Sequence, residues 1–254
     1  FAGINLEDIS APRCFEILER LERESAIAVF HDDQDGTAIV TLAALINACR
    51  VSNKVLKDLK IVINGAGAAG IAIARLLLAQ GVKDIILLDS QGVIYPGRQK
   101  LNPYKKKLAE KTNKKRIRGD LETALIRADV FIGVSKANLL NAKMIKPMNP
   151  EPVIFAMANP SPEILPAQAL KAGAAVVGTG RSDFPNQINN ALVFPGIFRG
   201  LLDSWSQNLT DKIKLAAAVA IAYSVRRLAK NNILPKINDK KIVAAIANVV
   251  IKNK

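Results

Sequence analysis

Two pairs of acids and one run of glycines are the parts of this 254-residue chain whose residue types and spacing suit chemistry. Glu7 and Asp8 end the apolar opening segment Phe1-Ala-Gly-Ile-Asn-Leu6. Asp32 and Asp33 follow the short apolar run Ile27-Ala-Val-Phe30 and His31. Two strands that both end in paired carboxylates suggest a shared cluster. Glu7, Asp8 and one of Asp32 or Asp33 would make an oxygen-rich site for a hard divalent cation, Mg²⁺ or Mn²⁺. Solvated turn residues or helix caps are the competing reading. His31 is the single histidine, so a histidine-based zinc site or catalytic triad within the chain is excluded.

The glycines lie in Leu59-Lys-Ile-Val-Ile-Asn-Gly-Ala-Gly-Ala-Ala-Gly70. The run Ile61-Val62-Ile63 leads directly into Gly65-Ala66-Gly67-Ala68-Ala69-Gly70, and an apolar helical pattern follows from Ile71 to Ala79. Strand, tight turn and helix form the context of a dinucleotide-binding fingerprint. Gly65 would make the sharp turn, Gly67 would let the backbone approach a pyrophosphate, and Gly70 would let the helix lie close to the strand. The helix N-terminus offers unpaired N–H groups and partial positive charge to phosphates. Asp89 ends the next apolar run, Asp84-Ile-Ile-Leu-Leu-Asp89, about twenty residues on, where an acid would hold a ribose 2′-hydroxyl. A glycine-rich turn without a ligand is the alternative.

Repeated strand–turn–helix units carry these residues. Further strands are predicted at Val130–Ile132, before Gly133-Val134-Ser135, at Pro152–Met157, before Ala158-Asn159-Pro160, and at Ala174–Val177, before Gly178-Thr-Gly-Arg181. Helices are predicted over Arg13–Glu24, Ala38–Cys49, Leu215–Ala229 and Asp239–Lys252, with a basic helix from Pro103. The pattern predicts an α/β fold of Rossmann type, doubly wound, with a mainly parallel sheet and C-terminal helices. Ligands of such sheets gather beyond the carboxyl ends of the strands, where Gly65–Gly70, Ser135, Asn159 and Arg181 fall. Asn186-Gln-Ile-Asn-Asn190 sets four amides in five residues beside an apolar segment, which suits either a polar substrate or a capped surface turn.

Half of the residues are hydrophobic, enough for a sizeable core. The two cysteines, Cys14 and Cys49, lack metal-ligand spacing and read as reduced, buried thiols of an intracellular, cytoplasmic protein. No signal-peptide pattern and no membrane-crossing apolar run is found, so no membrane partner is expected. The net charge is +14, much of it in Lys105-Lys-Lys107, Lys111, Lys114-Lys-Arg-Ile-Arg118 and the tail. With only Tyr104 near it, this stretch reads as a solvated helix face, with a contribution to a cofactor 2′-phosphate next and nucleic acid disfavoured.

Together, Glu7-Asp8, Phe30-His-Asp-Asp-Gln-Asp-Gly-Thr-Ala38, Gly65–Gly70, Ala158-Asn-Pro160, Asn189-Asn190 and Phe194-Pro-Gly-Ile-Phe198 resemble the malic enzymes, most closely the shorter prokaryotic type. The likeness runs through essentially the whole chain in family order. It implies oxidative decarboxylation of L-malate to pyruvate and CO₂ with NAD or NADP and a divalent metal. It matches Glu7, Asp8 and Asp33 to metal ligands, and Asp32 to the neighbouring acid that interacts with the catalytic lysine. It matches Asn159 and Asn190 to malate-binding amides, with Asn159 also near the nicotinamide. Gly65 to Gly70, Asp89, Val134 and Ser135 match the dinucleotide site.

The chain also departs from the family. The general-acid tyrosine, general-base lysine and a substrate arginine lie upstream of the Glu-Asp motif there, and only six residues precede Glu7 here. Residues 1–36 are thus expected to be a metal-binding segment and linker from a missing N-terminal domain, 37–204 the NAD(P)-binding domain, and 205–254 helices packed on it. Asp35, where many relatives carry a non-acidic residue, is expected at the surface. Asp89 favours NAD, although Arg98, Lys100 or Lys105 would serve a 2′-phosphate. A homo-oligomer, dimer or tetramer, is implied. A malolactic enzyme and a non-catalytic dinucleotide-binding module are the alternatives.

Overall fold

The computed structural model describes every residue, 1–254. The chain opens with β1 (Gly3–Leu6), α1 (Arg13–Glu24) and β2 (Ala28–His31). A π-helical turn, Asp32–Gly36, leads into α2 (Thr37–Val51). The Rossmann-type portion follows as β3 (Lys60–Asn64), α3 (Ala68–Ala79), β4 (Asp84–Asp89), β5 (Gly92–Val93), α4 (Pro103–Ala109), α5 (Leu121–Leu125), β6 (Val130–Gly133), α6 (Ala142–Ile145), β7 (Val153–Ala156), α7 (Pro166–Lys171) and β8 (Val176–Thr179). Three helices close the chain: α8 (Phe194–Ser204), α9 (Asp211–Tyr223) and α10 (Lys240–Lys252).

Six strands form one sheet in the order β5-β4-β3-β6-β7-β8, parallel except for the short antiparallel β5. The predicted mainly parallel α/β sheet is therefore present. Its strands are apolar at nearly every position because both faces are covered. On β3, Ile61 and Ile63 point into the larger core with α2, α3 and α8–α10. Val62, between them, points into a smaller core with α5, α6 and α7. The same alternation separates Ile85 and Leu87 from Ile86 and Leu88 on β4. This period of two follows from the pleat.

β1 and β2 stand apart as a two-stranded parallel sheet in which Leu6 pairs with His31. That register sets the residues following each strand, Glu7 and Asp32, side by side. α2 is buried nearly all round, between α3 and α9, which explains its apolar surface on every side.

One helix differs from its prediction. α9 spans Asp211–Tyr223 rather than Leu215–Ala229. Thr210 caps its start by accepting a hydrogen bond from the Ile213 N–H. Near its end, Asn47 Nδ2 donates to the Ala222 carbonyl at 2.7 Å and to that of Ile233 at 2.9 Å. Asn186 binds the Lys230 carbonyl and the Ile233 N–H. Asn47 thus satisfies a carbonyl that a longer helix would have paired internally, and both asparagines hold the backbone beyond that end. No helix is long and apolar enough to cross a membrane.

Candidate dinucleotide and metal site

The glycine turn is built by three different constraints. Gly65 has φ +121°, in the region that favours glycine, and a Cβ there would stand 2.6 Å from the Val134 carbonyl oxygen. Gly70 lies so close to Gly65 that a Cβ would overlap the Gly65 carbonyl oxygen. Gly67 has nothing within 4 Å of its Cβ position and flanks the start of α3. Ala66 is buried beneath the turn, while Ala68 and Ala69 form the first turn of α3. Since no side chain caps α3, its first N–H groups remain available to an anion. Beside the turn, Val134 N–H donates to the Asn64 carbonyl, and Asn64 Nδ2 donates to Ser135 Oγ at 3.1 Å. Val134 and Ser135 therefore share the carboxyl edge of the sheet with Gly65–Gly70.

Asp89 ends β4 on the same edge. One of its oxygens accepts from Arg98 Nη2 at 2.5 Å and Lys105 Nζ at 2.7 Å, and the other accepts from the Gln91 N–H. Burial pushes its carboxyl pKa up, but the bonds from Arg98 and Lys105 outweigh this and hold it at about 2. Asn102 caps α4 and so sets the position of Lys105. Lys100 is exposed and pairs with no acid. The predicted solvated face of the basic helix thus has one exception, because Lys105 turns inward.

The acids meet at the ends of β1 and β2. Asp8 N–H donates to Asp33 Oδ2 at 2.9 Å. Asp32 is 7% exposed, and its Oδ1 has no hydrogen-bond partner. Burial, then the charges of Glu7, Asp33 and Asp35, push its pKa up to about 6. A Cβ at Gly36 would lie 2.5 Å from Asp32 Oδ1 and 3.0 Å from Asn190 Cβ. Asn190 therefore sits against the acid-bearing turn. No three His, Cys, Asp or Glu side chains form a ready ligand set, and one Asp33 oxygen is occupied by the Asp8 N–H. The donors still suit a hard cation. They are all carboxylates, the neighbouring Asp32 carries an orphaned buried oxygen, and the mutual repulsion of these acids would be relieved by positive charge.

Other predicted residues take different places. Asn159 is exposed in the segment after β7. Arg181 grips Asp183 through two bonds and donates to the Pro160 carbonyl at 3.2 Å, tying the loop after β8 to the one carrying Asn159. Asn186 is a buried internal staple and Asn189 a helix cap, whereas Asn190 lies against the acid-bearing turn. Asp35 is not at the surface: it is 4% exposed and ion-paired with Lys214 at 2.6 Å. His31 is fully buried with both ring nitrogens unpartnered, and burial lowers its pKa.

Sequence reasoning passed over Glu163. It is fully buried and accepts from the N–H groups of Ser135 at 3.2 Å and Ala158 at 3.1 Å, linking the loops after β6 and β7. An acid between Pro162 and the apolar Ile164-Leu165 was the available signal. A cavity of about 660 Å³ lies between α1, α3, α4 and α9, behind the acid-bearing turn, with Gln34 and Asp35 in its lining.

The family described as "Malic enzyme, NAD binding domain" matches residues 34–254. The bifunctional malic/malolactic enzyme of Bacillus subtilis is 53% identical over 255 residues, covering 99% of this chain and 62% of that protein. The NAD-dependent malic enzyme of Geobacillus stearothermophilus is 49% identical over 254 residues, covering 99% of this chain and 53% of that protein. This chain thus spans less than two thirds of either relative. The crystal structure of the NAD-dependent malic enzyme from Thermotoga maritima superposes with a TM-score of 0.96 at 47% identity, covering all of this chain and 67% of that one. The glycine turn, the sheet around it and these matches lead to one assignment: the chain belongs to the malic enzyme family, with residues 34–254 matching its NAD-binding domain.

Proposed function

We propose that this chain is the cofactor- and metal-binding portion of an enzyme that oxidatively decarboxylates L-malate to pyruvate and CO₂ while reducing NAD or NADP. The observation that carries this reading is the adjacency of Glu7, Asp32 and Asp33 at paired strand ends, with Asn190 against the same turn. A bound dinucleotide would supply hydride-accepting chemistry, and a Mg²⁺ or Mn²⁺ ion would supply polarisation of the substrate oxygen. Glu7, Asp8 and Asp33 would hold the cation. Asp32, whose carboxyl is raised by burial and by its neighbours' charges, would face the group that takes the hydroxyl proton. Asn159 and Asn190 would orient the malate carboxylates. Gly65–Gly70, Val134 and Ser135 would seat the pyrophosphate, and Asp89 the adenosine ribose.

None of the chain's tyrosines lies in this acid cluster. Tyr104 donates to Glu19, and Tyr95 and Tyr223 stack against arginines. Lys214, which reaches the acid-bearing turn, is committed to Asp35. The proton-transfer groups therefore have to come from outside these residues. The test is titration of the isolated chain with NAD⁺ and NADP⁺, alongside a malate-dependent reduction assay with Mn²⁺. Binding without turnover is expected, and malate-dependent reduction by the chain alone would contradict the proposal. Joining the chain to the part of the B. subtilis relative that it does not cover should then give pyruvate and reduced cofactor. Lactate without net cofactor reduction would favour a malolactic reaction, the second reading supported by that relative's name. Absence of either product would favour a non-catalytic module.

A further inference from the structure

The turn that carries Asp32 and Asp33 is held from three directions. Asp8 N–H donates to Asp33 Oδ2, and Gln34 Nε2 donates to the Cys14 carbonyl at 3.5 Å. The third hold is Asp35. Its Oδ2 accepts from the His31 N–H at 3.3 Å, closing the turn onto β2, and its Oδ1 meets Lys214 Nζ at 2.6 Å. The first two holds are a backbone amide contact and a long amide bond. Only the third is a short bond between two opposite charges, and only it reaches a different layer of the molecule.

Lys214 projects from α9, a capped helix whose Ile213, Ala217 and Ile221 are fully buried in the larger core. Its side chain is 17% exposed and that of Asp35 is 5% exposed. Burial disfavours the charged ammonium, but Asp35 outweighs this, with further support from Asp211 and Glu22, so the pair stays ionic. A π-helical turn is a rare, wide conformation that needs outside support, and such turns cluster at functional sites.

We propose that Lys214 is a positioning residue of the acid site: by gripping Asp35 it fixes the turn Asp32–Gly36 on β2 and so sets where the Asp32 and Asp33 carboxylates stand. The inference rests on the divalent-cation reading given above. It assigns the C-terminal helices a part in the chemistry at the opposite end of the chain, and Lys214 touches neither substrate nor cofactor in this role.

The experiment compares the 254-residue chain with its Lys214→Met and Lys214→Arg variants in Mn²⁺ titration, NAD⁺ titration and amide hydrogen exchange. Lys214→Met should weaken Mn²⁺ binding by about tenfold and leave NAD⁺ affinity within about twofold, the size of effect seen when a partner of a metal ligand is removed. Exchange should accelerate at residues 32–36 and stay unchanged in β3, β4 and β6. Lys214→Arg should restore Mn²⁺ affinity to within about threefold, because its guanidinium can also grip a carboxylate. Removing a positive charge makes the site more negative, so a purely electrostatic role would tighten Mn²⁺ binding instead.

Should Lys214→Met fail to fold because Asp35 is left buried and unpaired, the double variant Asp35→Asn/Lys214→Met carries the same test without a buried charge. Tighter Mn²⁺ binding, or unchanged exchange at residues 32–36 in a folded variant, overturns the proposal. If the unsubstituted chain binds no Mn²⁺, the divalent-cation reading fails, and the exchange at residues 32–36 still decides whether Lys214 positions the turn.

Discussion

A side chain at Gly70 would overlap the carbonyl oxygen of Gly65, whereas one at Gly67 would meet nothing within 4 Å. The two glycines therefore do separable work, one in packing and one in leaving open space over an extended backbone. Gly70→Ala should force α3 away from β3 and cost about 1–3 kcal/mol, the usual range for overpacking. Gly67→Ala should leave thermal stability nearly unchanged but weaken NAD⁺ binding by about tenfold, equivalent to about 1.4 kcal/mol, because its methyl would occupy the space over the phosphate-binding N–H groups. Thermal unfolding and NAD⁺ titration of both variants separate the effects. Full NAD⁺ affinity in Gly67→Ala would remove the phosphates from this turn.

Asp32 gives the protein a pH signature. Its carboxyl is raised from 3.8 to about 6 in the folded state, by burial and then by Glu7, Asp33 and Asp35. Between those values the native state binds more protons than the unfolded chain, so stability falls as pH rises through this window and the full cost is present above it. Asp32→Asn should therefore be more stable than the unsubstituted protein near neutral pH and above, by up to about 3 kcal/mol, and gain nothing below the ordinary aspartate range. Melting temperatures of both proteins across that range check the sign. Equal melting curves in mild alkali would show that Asp32 is not strained by its neighbours.

The features that could be read from the sequence are those encoded locally. The β3–turn–α3 unit was legible because Gly65–Gly70 separate a period-two apolar run from a helical one. The meeting of Glu7 with Asp32 was legible because two short strands of similar length each ended in acids, and parallel pairing of Leu6 with His31 aligns those ends. Features decided by distant partners were not legible. Nothing near Asp35 signals its burial, since its counter-charge Lys214 arrives from α9. Nothing near Tyr223 signals the end of α9, since Asn47 and Asn186 bind the backbone around and beyond it from elsewhere. Asn186 and Asn190, neighbours in one amide-rich stretch, part ways because one turns into the protein and the other lies against Gly36.

Asp89 carries its own cations, and this bears on cofactor choice. Arg98 and Lys105 share one of its oxygens, with side chains only 8% and 20% exposed. A carboxylate facing a ribose favours a 2′-hydroxyl over a 2′-phosphate, but here two cations stand ready if the carboxylate is removed. Asp89→Ala should shift the affinity ratio toward NADP⁺ by at least about tenfold, given the strength of charge-assisted bonds to phosphate. With its carboxyl held at about 2, Asp89 stabilises the fold above the ordinary aspartate range and loses this only as pH falls through about 2. Cofactor preference governed by Asp89 should then be flat across neutral pH. Titrations with both cofactors at mildly acidic and mildly alkaline pH test this. An unchanged NADP⁺ to NAD⁺ ratio in Asp89→Ala would place the discriminating group elsewhere.

Glu163 joins the two loops that border the site on the far side of β3. Its carboxylate accepts from the N–H groups of Ser135 and Ala158, and a Cβ on Gly133 would overlap that carboxyl group, so the residue fits only because β6 ends in glycine. Burial pushes its pKa up against the pull of those two bonds. Glu163→Gln keeps the shape but turns one acceptor into a donor facing an N–H, which should cost about 1–3 kcal/mol, the penalty for an unsatisfied buried polar group. Glu163→Ala leaves both N–H groups unpaired beside a new cavity and should cost more, about 2–5 kcal/mol. Because Ser135 flanks the glycine turn, both variants should also weaken NAD⁺ binding, in the same order as their loss of stability. Denaturant unfolding and NAD⁺ titration measure the two effects together. Stability lost without any change in NAD⁺ affinity would show that the loops after β6 and β7 are braced by Glu163 but do not touch the dinucleotide.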